Sequence, residues 1–283
     1  MKRLLLTSFL MCSIFLVAQE KADKGEKVSQ TFKDTRVVNG HSVETNKLGQ
    51  LKFIIAHRFG TVNGGIKELY GLDQSTIRLG FDYGLLNWLT IGVGRSSFEK
   101  TVDGFVKAKL VHQRENGAPI SVTWLSTAAV NTMKNLDRTR DIPDRTRWTY
   151  TNQALIARKF SDAFSLQLMP THVHRNLVHL SEHKNDIISI GAAGKLQLTK
   201  ILSFKTEYYY SLDNQLPDDI TNSLALGFDI ETKHHVFQLH LSNSRGMIEK
   251  FFITETRGEW DKGDIMIGFN ITRDFQIKGR KYK

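Results

Sequence analysis

The feature that most constrains this chain is a series of short segments with alternating apolar and polar residues. Such a period of two is typical of β-strands whose two faces meet different surroundings. The pattern predicts twelve strands, at 51–59, 75–84, 89–97, 104–113, 120–131, 148–160, 164–174, 186–198, 203–210, 221–230, 235–242 and 262–272. Connections after odd-numbered strands are mostly long, and those after even-numbered strands are short. This rhythm predicts a single up-and-down antiparallel barrel over residues 51–275 that spans a membrane.

The composition of the two strand faces supports the same fold class. In segment 75–84, Ile77, Leu79 and Phe81 share one face, whereas Arg78 and Asp82 share the other. A transmembrane strand presents its apolar face to lipid and its polar face to the lumen. Aromatic residues also cluster near the predicted strand ends, as expected for side chains at the two headgroup levels. After the leader, no apolar stretch approaches the ~18 residues that a spanning helix needs.

The first residues have the features of a secretory signal peptide, predicted at 1–18. Lys2 and Arg3 form a positive start, Leu4 to Val17 are apolar, and Ala18 precedes a plausible cleavage point. The only cysteine, Cys12, lies in this leader, so thiol chemistry is not expected in the mature chain. We therefore expect export of the protein across the inner membrane of a Gram-negative cell.

The chain is basic, but its charges do not form a nucleic-acid-binding stripe. The formal net charge is +10, and removal of Lys2 and Arg3 with the leader leaves +8. Because these charges are spread over strands and loops, we expect no nucleic-acid partner. The expected partners are outer-membrane lipid, the barrel-assembly machinery and a small polar solute. The sequence does not indicate the oligomeric state.

Two terminal segments flank the predicted barrel. Residues 19–50 are expected to form a polar periplasmic segment that contains a small hairpin between Thr35 and Val43, around an Asn-Gly turn. This segment could hang below the barrel or enter its mouth, and the sequence does not distinguish the two. Residues 276–283 form a basic C-terminal tail.

Several short motifs resemble an uncharacterised family of Gram-negative outer-membrane β-barrels. They are His57-Arg58-Phe59-Gly60 at the end of Leu51–Gly60, Gly71-Leu72-Asp73, Arg78–Gly84, Gly92–Ser96, Ala157–Ser161 and Pro170–Asn176. The resemblance covers nearly all of residues 32–275. It implies a barrel in the outer membrane and implies no reaction. The tail after Phe275 departs from such barrels, which usually end in a strand with a terminal aromatic residue.

Charged side chains on the predicted lumen face are the candidate selectivity residues. The set comprises Arg78, Lys107, Lys109, Lys195, His240, Asp82 and Asp229. We expect Arg78, Lys107 and Lys109 to select the solute, with Asp82 and Asp229 as their partners. The same alternation also places Lys52, Arg58, Lys205, Glu207, Gln238 and Asp264 inside. Because unpaired buried charge is costly, these groups must contact water or each other. A wet lumen would be a narrow pore with an anion bias, whereas paired charges would close the core.

Two other chemistries are weighed against this one. His172, His174, His179 and His183 fall within twelve residues and could hold zinc or haem. Ser96, Ser126 or Ser242 could join a histidine in a lipid-acting outer-membrane enzyme, but no nucleophile motif such as Gly-x-Ser-x-Gly is present. We therefore predict a non-enzymatic outer-membrane pore or binder for a small, polar and perhaps-anionic solute, without a cofactor. The alternatives are a metal- or haem-handling surface protein and a lipid-acting enzyme.

Overall fold

The computed structural model is a closed barrel of twelve antiparallel strands, which confirms the predicted fold class. It describes residues 25–134, 143–178, 183–213, 215–232 and 235–277. The strands are β1 (Gln50–Thr61), β2 (Ser75–Leu86), β3 (Leu89–Ser96), β4 (Val102–Val111), β5 (Ser121–Val130), β6 (Trp148–Lys159), β7 (Phe164–Arg175), β8 (Asp186–Gln197), β9 (Leu202–Ser211), β10 (Ser223–Glu231), β11 (His235–Ser242) and β12 (Met266–Gln276). The predicted leader, residues 19–24, His179 and most of the C-terminal tail lie outside the described residues.

Each strand pairs with its neighbours in sequence, and β1 closes the barrel on β12. Ile54 of β1, for example, lies opposite Gly80 of β2 and Thr272 of β12. Closure gives every strand two partners and removes the edges that a membrane could not accommodate. No helix among the described residues is long and apolar enough to cross a bilayer.

The faces of the strands are inverted relative to a water-soluble domain. In β2, Leu79 and Phe81 are 42% and 47% exposed, whereas Arg78 and Asp82 are buried. The exposed apolar side chains form the outer wall, and the polar ones fill the interior. This arrangement is stable in lipid, where apolar side chains need no burial inside the protein.

The connections differ in length at the two ends of the barrel. One end, called here the long-loop mouth, carries the connections 62–74, 97–101, 131–147, 176–185, 212–222 and 243–265. The opposite end, the short-turn mouth, carries 87–88, 112–120, 160–163, 198–201 and 232–234. Two connections depart from the predicted alternation of lengths, 97–101 and 112–120. The last strand also begins at Met266 rather than at 262, so Asp264 lies in a turn and not on the lumen face as predicted.

The N-terminal segment lies inside the barrel. Residues 31–46, called here the lumen segment, are almost entirely buried. They fold back in a hairpin-like turn in which the Val37 N–H donates to the Gly40 carbonyl (2.8 Å). The turn is centred on Val38 and Asn39, one residue before the predicted Asn-Gly pair. Of the two placements that the sequence left open, the structure therefore has the segment within the barrel rather than below it in the periplasm.

A second insertion closes the lumen from the other end. The connection 243–265 folds inward and carries a short helix, α1 (Glu249–Thr254), whose six residues are all buried. Phe252 packs on Tyr209 of β9, with ring centroids 4.9 Å apart. Phe252 also joins an internal apolar cluster with Phe32 and Val43 of the lumen segment. The barrel is therefore filled by its own chain from both mouths.

Candidate functional site

All seven predicted selectivity residues lie inside the barrel and are at least nine-tenths buried. Strand alternation was a sufficient guide to their orientation, because one face of each strand contacts lipid. Their predicted partners, however, are wrong. Arg78 binds Asp103 rather than Asp82, and Asp229 forms its ion pair with Lys205. Asp82 instead accepts a hydrogen bond from Arg36 of the lumen segment at 3.2 Å.

The Arg78–Asp103 pair spans the intervening strand β3. The Arg78 Nε donates to Asp103 Oδ1 at 2.9 Å, and its Nη2 donates to Oδ2, so the contact is bidentate. It crosses Gly94, where an added Cβ would overlap the guanidinium group. Glycine at this inward position therefore permits the pair. Asp103 escaped the sequence analysis because the strand was predicted to begin at residue 104.

The three predicted lysines contact the lumen segment rather than an open channel. Lys107 Nζ donates to the Thr35 carbonyl at 3.3 Å, and Lys195 Nζ donates to the Gln30 carbonyl at 3.4 Å. Lys109 forms an ion pair with Glu44 at 3.1 Å. Backbone and carboxylate oxygens of the N-terminal segment thus neutralise or solvate these cations in place of water.

Glu207 of β9 is the main acceptor for the turn of the lumen segment. Its carboxylate accepts the backbone N–H groups of Val38, Asn39 and Gly40 at 3.0–3.2 Å. Gly40 is needed at this point, since an added Cβ would overlap the Tyr209 hydroxyl. Three donors converging on one carboxylate fix the turn deep inside the barrel.

His240, the last member of the predicted set, lies beside Gly268 and is 2% exposed. Among the described residues, neither of its ring nitrogens has a hydrogen-bond partner. The structure therefore gives this histidine a place in the lumen but no contact that indicates a role.

The contact between the two insertions contains a buried histidine and a buried carboxylate. His41 Nε2 of the lumen segment lies 3.9 Å from Glu249 Oε1 of α1. Burial, together with the nearby Arg36, lowers the pKa of His41, so its imidazole is neutral at pH 7. Burial raises the pKa of Glu249 to about 7. Both groups therefore avoid full charge where the insertions meet.

The middle of the barrel has no room for a solute. Two cavities of about 20 and 10 Å³ remain beside Arg36, one towards Asn270 and the other towards Phe105. A single water needs about 10–15 Å³ on this measure. Of the two alternatives left open by the sequence, the described structure is a closed polar core.

The long-loop mouth, in contrast, holds a cavity of about 1080 Å³, called here the outer cavity. Its floor includes Lys250 and Thr254 of α1. Six basic residues line it, namely Lys134, Arg147, Arg175, Arg245, Lys250 and Arg257, against the four acids Glu99, Asp219, Glu255 and Asp264. The basic excess gives this cavity a positive character. Sequence analysis missed it because the lining comes from loops that are distant in the chain.

The four acids of the outer cavity already have donors. Lys250 binds Glu99 at 2.8 Å and Glu255 at 2.7 Å. Arg257 binds Asp219 at 3.0 Å, and Asp264 accepts a hydrogen bond from Asn63.

Two arginines of the same cavity are not neutralised. Among the described residues, neither Arg175 nor Arg245 forms an ion pair. Arg175 donates through Nη2 to the Lys184 carbonyl, and its buried Nε has no hydrogen-bond partner within the described ranges. Arg245 lies over the Phe98 ring, 5.3 Å from the centroid. These two guanidinium groups are available to an anion.

The predicted histidine cluster is divided between two surfaces. His172 and His174 of β7 lie partly exposed on the outer wall, and each contacts Asp186 Oδ1 at 2.8 Å. His183 lines the outer cavity, and His179 lies outside the described residues. Within the part of the chain that the structure describes, no three His, Cys, Asp or Glu side chains are arranged to hold a metal ion.

Residues 32–275 match the profile of a protein family described as a membrane bound beta barrel domain, DUF5777. The match covers the residues over which the sequence motifs resemble an uncharacterised barrel family, so that resemblance is confirmed. None of the curated proteins compared with the chain matches it.

Solved structures with a similar fold include three barrels. The NanC porin is 8% identical over 81% of this chain and 100% of its own, with a TM-score of 0.49. The COG4313 outer membrane channel from Pseudomonas putida F1 is 14% identical over 82% and 98%, with a TM-score of 0.46. The KdgM porin is 8% identical over 81% and 99%, also with a TM-score of 0.46. Likenesses at this level carry no argument about solute or mechanism.

Proposed function

Because this chain belongs to the family of membrane-bound β-barrel domains that residues 32–275 match, we propose that it is a non-enzymatic outer-membrane protein that binds a small polar solute. The preferred solute is an anion, and it binds in the outer cavity. The observation that carries this proposal is the pair of guanidinium groups, Arg175 and Arg245, on the wall of a cavity whose acids are already matched with donors. An oxyanion would supply the acceptors that these groups lack.

The proposal includes an orientation. We expect the long-loop mouth to face the exterior and the short-turn mouth to face the periplasm, since turns on the periplasmic side of such barrels are short. The outer cavity would then be the first part of the protein that an external solute meets. Protease added to intact cells should cleave within 131–147 or 243–265, and cleavage only after outer-membrane lysis would contradict the orientation.

The binding site is tested with the purified full-length protein in detergent, by calorimetric titration with inorganic phosphate and with glucose as a neutral comparison. Phosphate should bind and glucose should not. Replacing both arginines, Arg175→Gln with Arg245→Gln, should weaken phosphate binding at least tenfold, because a hydrogen bond to a charged group contributes about 1.5–3 kcal/mol.

Arg257→Gln is the matched control, because Arg257 lines the same cavity but is already bound to Asp219. It should change the phosphate dissociation constant less than threefold. Equal losses in the control and in the double variant would mean that general positive charge, and not these two guanidinium groups, attracts the anion. Equal binding of glucose would remove the preference for anions.

A second candidate, a metal- or haem-handling surface protein, keeps one specific observation in its favour. His172 and His174 both point at Asp186 on the outer wall near the long-loop mouth. Two imidazoles and a carboxylate are ligands that zinc accepts. Zinc binding that disappears in the variant with all four histidines replaced by alanine, together with no phosphate binding, would favour this candidate.

A further inference from the structure

We propose that the lumen segment, residues 31–46, is a plug that occupies an anion pathway through the barrel. The pathway opens when the segment leaves through the short-turn mouth. This inference rests on the proposed function for the class of solute and deepens it, because it names the route by which an anion from the outer cavity would cross.

The first argument is the charge of the wall behind the plug. Twelve buried charged residues belong to the strands, and eight of them are basic. The basic residues are Lys52, Arg58, Arg78, Lys107, Lys109, Arg175, Lys195 and Lys205, and the acidic ones are Asp82, Asp103, Glu207 and Asp229. A lumen lined in this way attracts anions and repels cations once water fills it.

The second argument is that the N-terminal segment supplies acceptors to six of these eight cations. Two contacts come from carboxylates, Asp34 to Lys52 at 2.7 Å and Glu44 to Lys109 at 3.1 Å. The others come from the Asn39 side chain to Arg58 and from backbone carbonyls of Gln30, Thr35, Arg36 and Val37 to Lys195, Lys107 and Lys205. Each contact is one that an oxyanion in transit could replace. The plug therefore occupies the positions of the solute that it excludes.

The third argument is topological. Both ends of the lumen segment lie at the short-turn mouth, because β1 begins there at Gln50 and Lys27 bridges to Arg114 in the connection 112–120. A chain that enters and leaves by one mouth can withdraw without threading through the barrel. Gly25 and Gly49 flank the segment with φ of +97° and +73°, a region that favours glycine. They are the expected hinges.

The contacts that hold the plug differ from those that hold the barrel. The described wall strands pair only with each other, and the segment adds no strand to the sheet. Its attachment consists of side-chain hydrogen bonds, ion pairs and the buried residues Phe32, Val37, Val38 and Val43. These apolar contacts keep the plug inserted at rest, while the polar ones can exchange with water or anions one at a time.

A contact between the two insertions connects the plug to the outer cavity. Lys250 and Thr254 of α1 form part of the cavity floor, and Glu249 of the same helix faces His41 of the plug. The charged groups that face this contact from the barrel and the plug are Arg36, Arg78 and Asp103. A solute on the cavity floor is therefore one helix away from the plug.

The experiment is single-channel recording of the full-length protein in a planar bilayer under a KCl gradient. A disulfide between Asn39→Cys and Ser242→Cys, with Cys12 replaced by alanine, should lock the plug, because the Asn39 Nδ2 lies 3.4 Å from the Ser242 Oγ. We expect rare openings of the wild type that prefer Cl⁻ to K⁺. The oxidised lock should reduce the open probability at least tenfold, and dithiothreitol should restore it. Each single cysteine variant is the control and should behave as the wild type in both conditions.

Two further variants test the mechanism without removing any part of the chain. Glu207→Gln weakens the acceptor of three plug N–H groups and should raise the open probability at least threefold. Lys107→Gln with Lys109→Gln should lower the Cl⁻/K⁺ permeability ratio at least twofold, whereas the exposed Lys262→Gln should leave it unchanged.

Three results would overturn the inference. They are no current from both the wild type and Glu207→Gln, openings that the oxidised lock does not reduce, and openings that prefer K⁺. Phosphate titration of the oxidised lock separates this outcome from failure of the proposed function. Phosphate binding without current would refute the plug alone, whereas Cl⁻-selective current without phosphate binding would refute the outer-cavity site alone.

Discussion

The buried pair between Arg78 and Asp103 gives the most direct test of how charge is accommodated in this barrel. Both side chains are less than a tenth exposed, and two hydrogen bonds join them across β3. Replacing only the arginine, Arg78→Met, leaves the Asp103 carboxylate buried without its partner. Breaking a buried pair in this way costs about 3–5 kcal/mol of the free energy of unfolding. Two charge-assisted hydrogen bonds at about 1.5–3 kcal/mol each give the same range.

The double variant, Arg78→Met with Asp103→Leu, should recover most of that loss. Replacing both members of a buried pair by apolar side chains of similar volume is often close to neutral. We therefore expect a coupling energy of about 3 kcal/mol between the two positions. The assay is reversible urea unfolding of the full-length barrel in lipid vesicles, followed by tryptophan fluorescence.

Arg257→Met is the control for the loss of one arginine. Its ion pair with Asp219 is largely exposed on both sides, so its removal should cost less than about 1 kcal/mol. A cost below 1 kcal/mol for Arg78→Met, or a double variant as unstable as the sum of the two single variants, would refute the reasoning. Either result would mean that water or another group replaces the missing partner.

The remaining predictions concern backbone space and pH. Gly94→Ala should destabilise the barrel by at least about 1–3 kcal/mol because the new Cβ would overlap the Arg78 guanidinium; Gly104→Ala, whose new Cβ meets its nearest atom at 3.5 Å, is the matched control in the same urea assay. The pKa of Glu249 is raised to about 7, so its stabilising contribution is full below its unfolded-state pKa of 4.5 and is lost as the pH rises through 7. Wild type should therefore lose stability relative to Glu249→Gln between pH 5 and pH 8, and a constant difference over this range would contradict the burial of that carboxyl. His41, whose pKa is lowered, acts in the opposite direction below pH 6.5 in both proteins, so the difference between them isolates Glu249.

The barrel itself could be predicted from the sequence because the membrane imposes a simple code. Lipid demands an apolar side chain at every second position, so residues such as Leu79 and Arg78 announce the face on which they lie. The code weakens where a strand meets a loop. Asp103 and Asp264 were misplaced for that reason, one just before a predicted strand and the other just inside one that begins later.

The filling of the lumen could not be predicted in the same way. Whether Lys107 meets water or a carbonyl depends on contacts between parts of the chain that are far apart, such as the contact with Thr35. The lumen segment is polar in composition, and a polar segment is equally compatible with water outside the barrel and with a polar interior. Its apolar residues Val37, Val38 and Val43 are the signal that could have indicated burial.

The claim on which this account depends most is that the N-terminal segment fills the barrel. Maleimide labelling of single cysteines in the folded full-length protein, with Cys12 replaced by alanine, tests it directly. Val43 is fully buried in the lumen, whereas Leu48, five residues later, is 56% exposed at the short-turn mouth. We predict that Leu48→Cys reacts at the rate of a free thiol and that Val43→Cys reacts at least a hundredfold more slowly until urea unfolds the barrel. Labelling of both positions at the same rate in the folded protein would contradict an inserted segment.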